Sequence, residues 1–292
     1  MQSVSFLDLA QLTFNGITVG SIIALAAIGL TLTYSILRIS NFAHGDFMTL
    51  GAYLTWVFNT FGVNIWISMV LGAVGTIGGM LIAEQLLWKP MRDRRATSTT
   101  LIIISIGLAL FIRNGILFIW GSSNQSYDLF REEAIDVGGI MMPFYHQVVI
   151  VLALIAVLVL HFLLQNTKIG KAMRAVADNI DLARVSGINV ERVVLWTWII
   201  TGTLTALGGA MYGLITTIRP NMGWFLILPM FASITLGGIG NVYGAIAGAL
   251  VIGVAQELSV LLLSSQYKLG VALVIMIVML LVRPQGLFKR SS

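Results

Sequence analysis

Cysteine is absent from the chain. That excludes disulfides and thiolate metal ligation and leaves the redox compartment open. Charge is scarce too: 10% of the 292 residues are Asp, Glu, Lys or Arg, and 58% are hydrophobic. A soluble domain carries about 25% charged residues to coat its surface. Twelve acids and seventeen bases are too few for that, and they are clustered, so lipid must cover much of the outside. The three histidines, His44, His146 and His161, are dispersed, which argues against a metal cluster. There is no G-x-x-x-x-G-K-[ST] loop, no H-E-x-x-H and no G-x-S-x-G, so neither a P-loop nor a familiar hydrolase motif is present. The net charge of +5 does not indicate nucleic-acid binding, because the bases sit between apolar runs and not on one face. No Lys or Arg precedes the first apolar run, so that run lacks the basic n-region of a cleaved signal peptide and is expected to be retained.

What the chain has in abundance is apolar runs of membrane-crossing length. They cover about Phe14–Leu37, Asn41–Phe61, Ile65–Trp88, Leu101–Trp120, Phe144–Leu164, Val193–Ile218, Ala245–Leu263 and Leu269–Val282, with a shorter run at Gly223–Leu236. The expected fold is therefore an all-α polytopic membrane protein, one transmembrane domain over residues 1–292, with eight to nine spans and broken or re-entrant helices. Small residues at helix-crossing spacing, Gly16/Gly20, Gly75/Gly79, Gly209/Gly213 and Gly244/Gly248, predict close helix packing.

Loop charge predicts sidedness. Lys89–Arg95, Thr167–Arg192 and Arg283–Arg290 hold twelve of the seventeen bases, whereas Gly121–Pro143 has four acids and one base. The positive-inside rule puts the first three in the cytoplasm and the acidic loop outside, with the N-terminus outside and the C-terminus inside. That parity needs an odd number of crossings.

Three segments carry candidate function. Residues 166–192 contain an amphipathic stretch, with Ile169, Met173, Val176, Ile180 and Ala183 on one stripe. It is too polar to span. It is either a surface helix lying on its own bundle or one helix, Ile169–Ser186, that docks a cytoplasmic partner through Arg174 and Asp178. The second segment, Ser40–Asp46, groups Asn41, His44, Gly45 and Asp46. These residues are costly in hydrocarbon and normally face a cavity, though an interfacial turn fits as well. The third is Thr235–Asn241, where Gly237, Gly238 and Gly240 interrupt an apolar run. Paired interruptions in two halves point to a solute path between them. Of the remaining charges, Glu84 is expected to snorkel toward Lys89, and Arg113 and Glu257 to pair across helices or face a polar cavity.

The ordered set Asn41-Phe42-Ala43-His44-Gly45, Gly170-x-Ala172-x-Arg174-Ala175-x-Ala177-Asp178, Ala183-x-x-x-Gly187, Leu236-Gly237-Gly238-Ile239-Gly240 and Pro284-x-Gly286-Leu287 resembles the permease subunits of branched-chain amino-acid ABC importers, in particular the LivH-like type with a short N-terminus. The resemblance implies a non-enzymatic transport subunit of the bacterial inner membrane without a cofactor. Its partners would be a second permease chain, two cytoplasmic ATPases and a periplasmic binding protein that delivers an amino acid. It implies ATPase contact at Gly170, Ala172, Arg174, Ala175, Asp178, Ala183 and Gly187. Asn41, His44, Gly45, Thr235, Gly237, Gly238 and Asn241 are expected along the solute path. Arg113 departs from the uncharged polar residue expected there. Related permeases carry urea or short amides, and an ion-coupled secondary carrier is the reading from another class.

Overall fold

The computed structural model describes residues 5–130 and 133–288. Helix α1 (Phe6–Leu37) opens with a capping box, in which Ser5 N donates to Asp8 Oδ2 and Leu7 N donates to Ser5 Oγ. Its sequence is apolar on all sides from Phe14 onward, and nearly every residue from Thr18 to Leu37 is buried, so α1 is the central post of the bundle. After α2 (His44–Thr60), α3 (Ile65–Ala83) continues through one π turn (Glu84–Trp88) into the short α4 (Lys89–Asp93). Then come α5 (Ser98–Trp120), a small hairpin of β1 (Ile135–Val137) and β2 (Ile140–Met142), and α6 (Phe144–Asn166). Two short helices, α7 (Lys168–Asp178) and α8 (Ile180–Val185), lead into α9 (Val190–Ile215). The bundle closes with α10 (Met222–Gly237), α11 (Val242–Leu258) and α12 (Lys268–Val282).

Among the described residues, seven helical stretches are long and apolar enough to cross a membrane. The all-α polytopic architecture stands. The expected eight to nine spans reduce to these seven plus two shorter helices, α2 and α10, of 17 and 16 residues.

Three of the four glycine pairs make close crossings. A methyl at Gly16 or Gly20 would meet the α11 backbone near Gly253 or Leu250. One at Gly209 would strike the Met48 carbonyl, and one at Gly244 or Gly248 would strike Gly237 or Ser233. Gly75 and Gly79 meet only the side chains of Leu54, Leu50 and Phe47.

Sidedness is visible in the contacts. Gln11 brackets Met141, with its Nε2 donating to the Met141 carbonyl at 2.9 Å and its Oε1 accepting from Met141 N at 2.8 Å. The start of α1 and the 121–143 loop therefore share one end of the bundle. At the other end Arg38 donates to the Ala177 carbonyl (3.2 Å), Ser35 to Gly240 (3.3 Å) and Leu287 N to Leu236 (2.8 Å). The described termini thus lie at opposite ends.

Glu84 does not snorkel toward Lys89. It is 5% exposed, held by Arg92 through both carboxylate oxygens and by Trp198 Nε1 at 2.8 Å. Glu84 follows Thr76 and Met80 at four-residue spacing on the buried face of α3, which aims it inward at α9. Glu257 pairs with Lys268 at 2.6 Å, the first residue of the neighbouring α12.

Candidate functional site

Helix α1 ends at Arg38, whose left-handed backbone (φ 56°) closes the last turn by donating to Tyr34 O. The chain then turns back into the bundle. Ile39 and Asn41 are fully buried, and the bared backbone is met by Ser105 of α5, whose Oγ accepts from Phe42 N at 3.2 Å. Such non-helical backbone is tolerated at depth only where protein satisfies it. His44 Nε2 donates to the Ala26 carbonyl at 2.8 Å, with Thr205 Oγ1 of α9 at 3.2 Å. Ala26 lies eleven residues before Leu37, so α2 begins about 16 Å inside the end of α1. The interfacial-turn reading of residues 38–46 is therefore wrong: this segment descends to mid-bundle. Sequence alone could not give that depth, because a short polar stretch between two apolar runs looks the same at an interface.

Helix α10 also starts inside. Its first turn meets that of α2, where a Cβ at Gly45 would collide with the Gly223 carbonyl and one at Gly223 with the Gly45 carbonyl. Gly223 N donates to Thr49 Oγ1 at 2.9 Å. Two helix N-termini, each with a positive dipole end, thus lie side by side in the interior. Neither α2 nor α10 has a side-chain N-cap bond. Beside them Arg113 of α5 grips Asp46 bidentately (Nε to Oδ1 3.0 Å, Nη2 to Oδ2 3.1 Å), with Trp224 4.9 Å from the guanidinium carbon. Asn41 Nδ2, His44 Nδ1 and Thr31 Oγ1 are buried without hydrogen-bond partners among the described residues.

The predicted path residues divide into two places. Asn41, His44 and Gly45 belong to this interior junction. Thr235, Gly237, Gly238 and Asn241 lie at the far end of α10, about 21 Å from Gly223. There Gly237 abuts Gly244, Gly238 holds φ 100° against Gly286, and Asn241 caps α11 through Gly244 N (3.0 Å) while donating to Phe288 O (3.1 Å). The residues that sequence reading missed are the polar supports Ser105, Thr49, Thr205 and Thr201, whose Oγ1 donates to the Gly29 carbonyl at 3.3 Å, together with Trp224. Threonines and a serine inside apolar runs were the available signal. At the opposite end Tyr127 of the long loop inserts beside Gly213 and donates to Ala52 O at 3.2 Å. Burial pushes its hydroxyl well above the usual phenol range, so it stays a protonated donor.

The expected continuous docking helix is two helices. Asn179 is extended (φ −153°, ψ 109°), and its Oδ1 accepts from Asp181 N and Leu182 N, capping α8. Thr167 caps α7 through Gly170 N, and Gly170 packs on the Leu163 and Leu164 carbonyls, where no side chain fits. The apolar stripe of α7, Met173 and Val176, is buried against its own bundle. Arg174 donates to Leu164 O (2.6 Å) and Gln165 Oε1 (2.8 Å), holding α7 to the end of α6. Ala172 and Ala175 are half-buried, Ala183 is buried, Asp178 is exposed, and Gly187 (φ 83°) ends α8. What projects is α8, with Leu182 62% and Val185 81% exposed.

A family model described as branched-chain amino acid transport system / permease component matches residues 12–280. The high-affinity branched-chain amino acid transport system permease protein LivH of Salmonella typhimurium is 33% identical, over 99% of this chain and 98% of that one. BraD of Pseudomonas aeruginosa, a permease protein of the same kind of system, is 28% identical over 97% and 96%. A probable LivH of Methanocaldococcus jannaschii is 31% identical over 94% and 90%. Among solved structures, PsaBC from Streptococcus pneumoniae in complex with Fab aligns over 93% of this chain and 91% of that chain with a TM-score of 0.51 at 13% identity, a likeness of fold alone.

Proposed function

The chain belongs to the branched-chain amino acid transport permease family, and from that premise we propose that it is the membrane permease subunit of an ABC importer that carries branched-chain or other neutral amino acids. The near full-length match to LivH carries this reading. The relatives' names favour amino acids over urea or short amides. ATP is hydrolysed on another polypeptide, since this chain has no P-loop. The complex contains a second permease, two cytoplasmic ATPases and a binding protein outside, in a bacterial cytoplasmic membrane.

In this reading the whole chain, residues 1–292, is one permease domain, and α2 and α10 bring the number of crossings to nine. The basic segments and the C-terminus face the cytoplasm, and the 121–143 loop and the N-terminus face outward. Contacts that join Gln11 to Met141, and Leu287 to Leu236 at the other end, support that arrangement. The solute path runs past the junction of the two inner helix starts, at Asn41, His44 and Gly45. It leaves by a cytoplasmic gate at Thr235, Gly237, Gly238 and Asn241, which the C-terminal segment braces. Segment 166–192 meets the ATPase, with α8 as the projecting part and α7 as its strut.

Reconstitution of the four-component complex in liposomes tests the reading. Leucine uptake is expected only with ATP and loaded binding protein. Uptake by this chain alone, driven by a proton or sodium gradient, would overturn it in favour of a secondary carrier.

A further inference from the structure

The Asp46–Arg113 pair is not explained by packing. Of the three side-chain ion pairs among the described residues, Arg92–Glu84 and Lys268–Glu257 sit at helix ends, while Asp46–Arg113 lies beside the two inner helix starts. Ionisable residues at such positions are costly and mark solute or ion pathways far more often than scaffold. Arg113 lies on a helix with little buried surface: only Leu101, Ser105, Ala109 and Ile116 of α5 are buried. Trp224, 39% exposed, lies over the guanidinium with its ring centroid 4.9 Å from Arg113 Cζ.

We propose that Asp46 and Arg113 form an exchangeable binding site for a zwitterionic amino acid. Arg113 releases Asp46 and takes the solute α-carboxylate in the same bidentate geometry, while Asp46 takes the α-ammonium. Trp224 offers apolar surface to an aliphatic side chain. Charge balances throughout. A neutral zwitterion enters a neutral pair, four charges alternate in sign, and none is left bare in the membrane. The inner N-termini of α2 and α10 add favourable potential for the carboxylate. This assignment rests on the importer reading and names the residues that would meet its cargo.

The test uses the assembled transporter with the double variant Asp46→Asn/Arg113→Gln, which keeps hydrogen-bonding shape and removes both charges. A second measurement uses the otherwise cysteine-free chain with Leu228→Cys, one turn from Trp224, labelled with a maleimide with and without millimolar leucine. The expected result is a loss of leucine uptake of roughly 30-fold or more at normal membrane levels, with hydrolysis by the ATPase still stimulated by loaded binding protein. Leucine should slow labelling of Leu228→Cys in the parent and not in the double variant. Uptake within about threefold of the parent would overturn the site and leave a packing role. If the double variant does not reach the membrane, the parent labelling decides: no slowing by leucine sinks the proposal. A parent complex that takes up no leucine with ATP sinks the importer reading instead, so the two failures are distinguishable.

Discussion

At the scale of single residues, two positions combine tight geometry with a definite cost. Gly45 and Gly223 let α2 and α10 touch backbone to backbone, and neither has room for a methyl group. Gly45→Ala must push the two helix starts apart, an overpacking cost of about 1–3 kcal/mol. We expect a lowered midpoint of thermal unfolding in detergent and at least tenfold slower uptake, whereas Gly78→Ala, which meets nothing within 4 Å, should change neither. Glu84 is the other. Its carboxylate satisfies both Arg92 and Trp198, so Glu84→Ala strands a buried indole N–H and a partly buried guanidinium, costing about 3 kcal/mol. Glu84→Gln keeps an acceptor for Trp198 and should lose less than half as much; equal losses would show that the contact to Trp198 contributes nothing. The acid was legible in the sequence but its partner was not, because a hydropathy pattern does not show which distant side chain the buried face of α3 meets.

At the scale of elements, the apolar spans were legible to within a few residues in most cases, as with Ser98–Trp120 against the expected Leu101–Trp120, although α1 begins eight residues before the expected Phe14. A run of about 20 apolar residues has one stable state in lipid, so length and composition suffice there. The amphipathic segment was harder. Its 3.6-residue stripe continues through Asn179, so periodicity predicted one helix. Asn is an N-cap residue, and the bonds it makes to Asp181 N and Leu182 N restart the helix at a new angle. The consequence is a division of labour. The stripe on α7 serves the permease itself, and α8 exposes Leu182 and Val185. A double change Leu182→Asp/Val185→Asp should leave folding and membrane level intact and cut ATPase co-purification at least tenfold. Reversing Arg174 should instead destabilise the α6–α7 corner, since its partners are Leu164 O and Gln165 Oε1. If the Leu182/Val185 variant retains the ATPase fully, α8 is not the contact.

At the scale of the whole molecule, two short helices begin in the interior, so the bundle is interrupted at depth and not continuous from end to end. Sequence reading found both interruptions but joined them as one path, since order along a chain does not reveal depth. The re-entry at Ile39–His44 is held by the preceding α1 and by α5 and α9, the last two far away in sequence. The same three-dimensional view yields a decisive test of topology. Ser123 lies in the loop that shares the α1-start end of the bundle, and Val185 lies on α8 beyond the other end. Both are exposed, and the chain has no native cysteine to confuse a label. The orientation proposed from loop charge has Ser123 outside. In intact cells an impermeant maleimide should therefore modify Ser123→Cys and not Val185→Cys, and in inside-out vesicles the pattern should reverse. Labelling of both from one side would mean an even number of crossings between them, so α6, the one membrane-length helix between Ser123 and Val185 among the described residues, would not traverse. Labelling of Val185→Cys alone in intact cells would invert the molecule, and with it the ATPase contact assigned to α8.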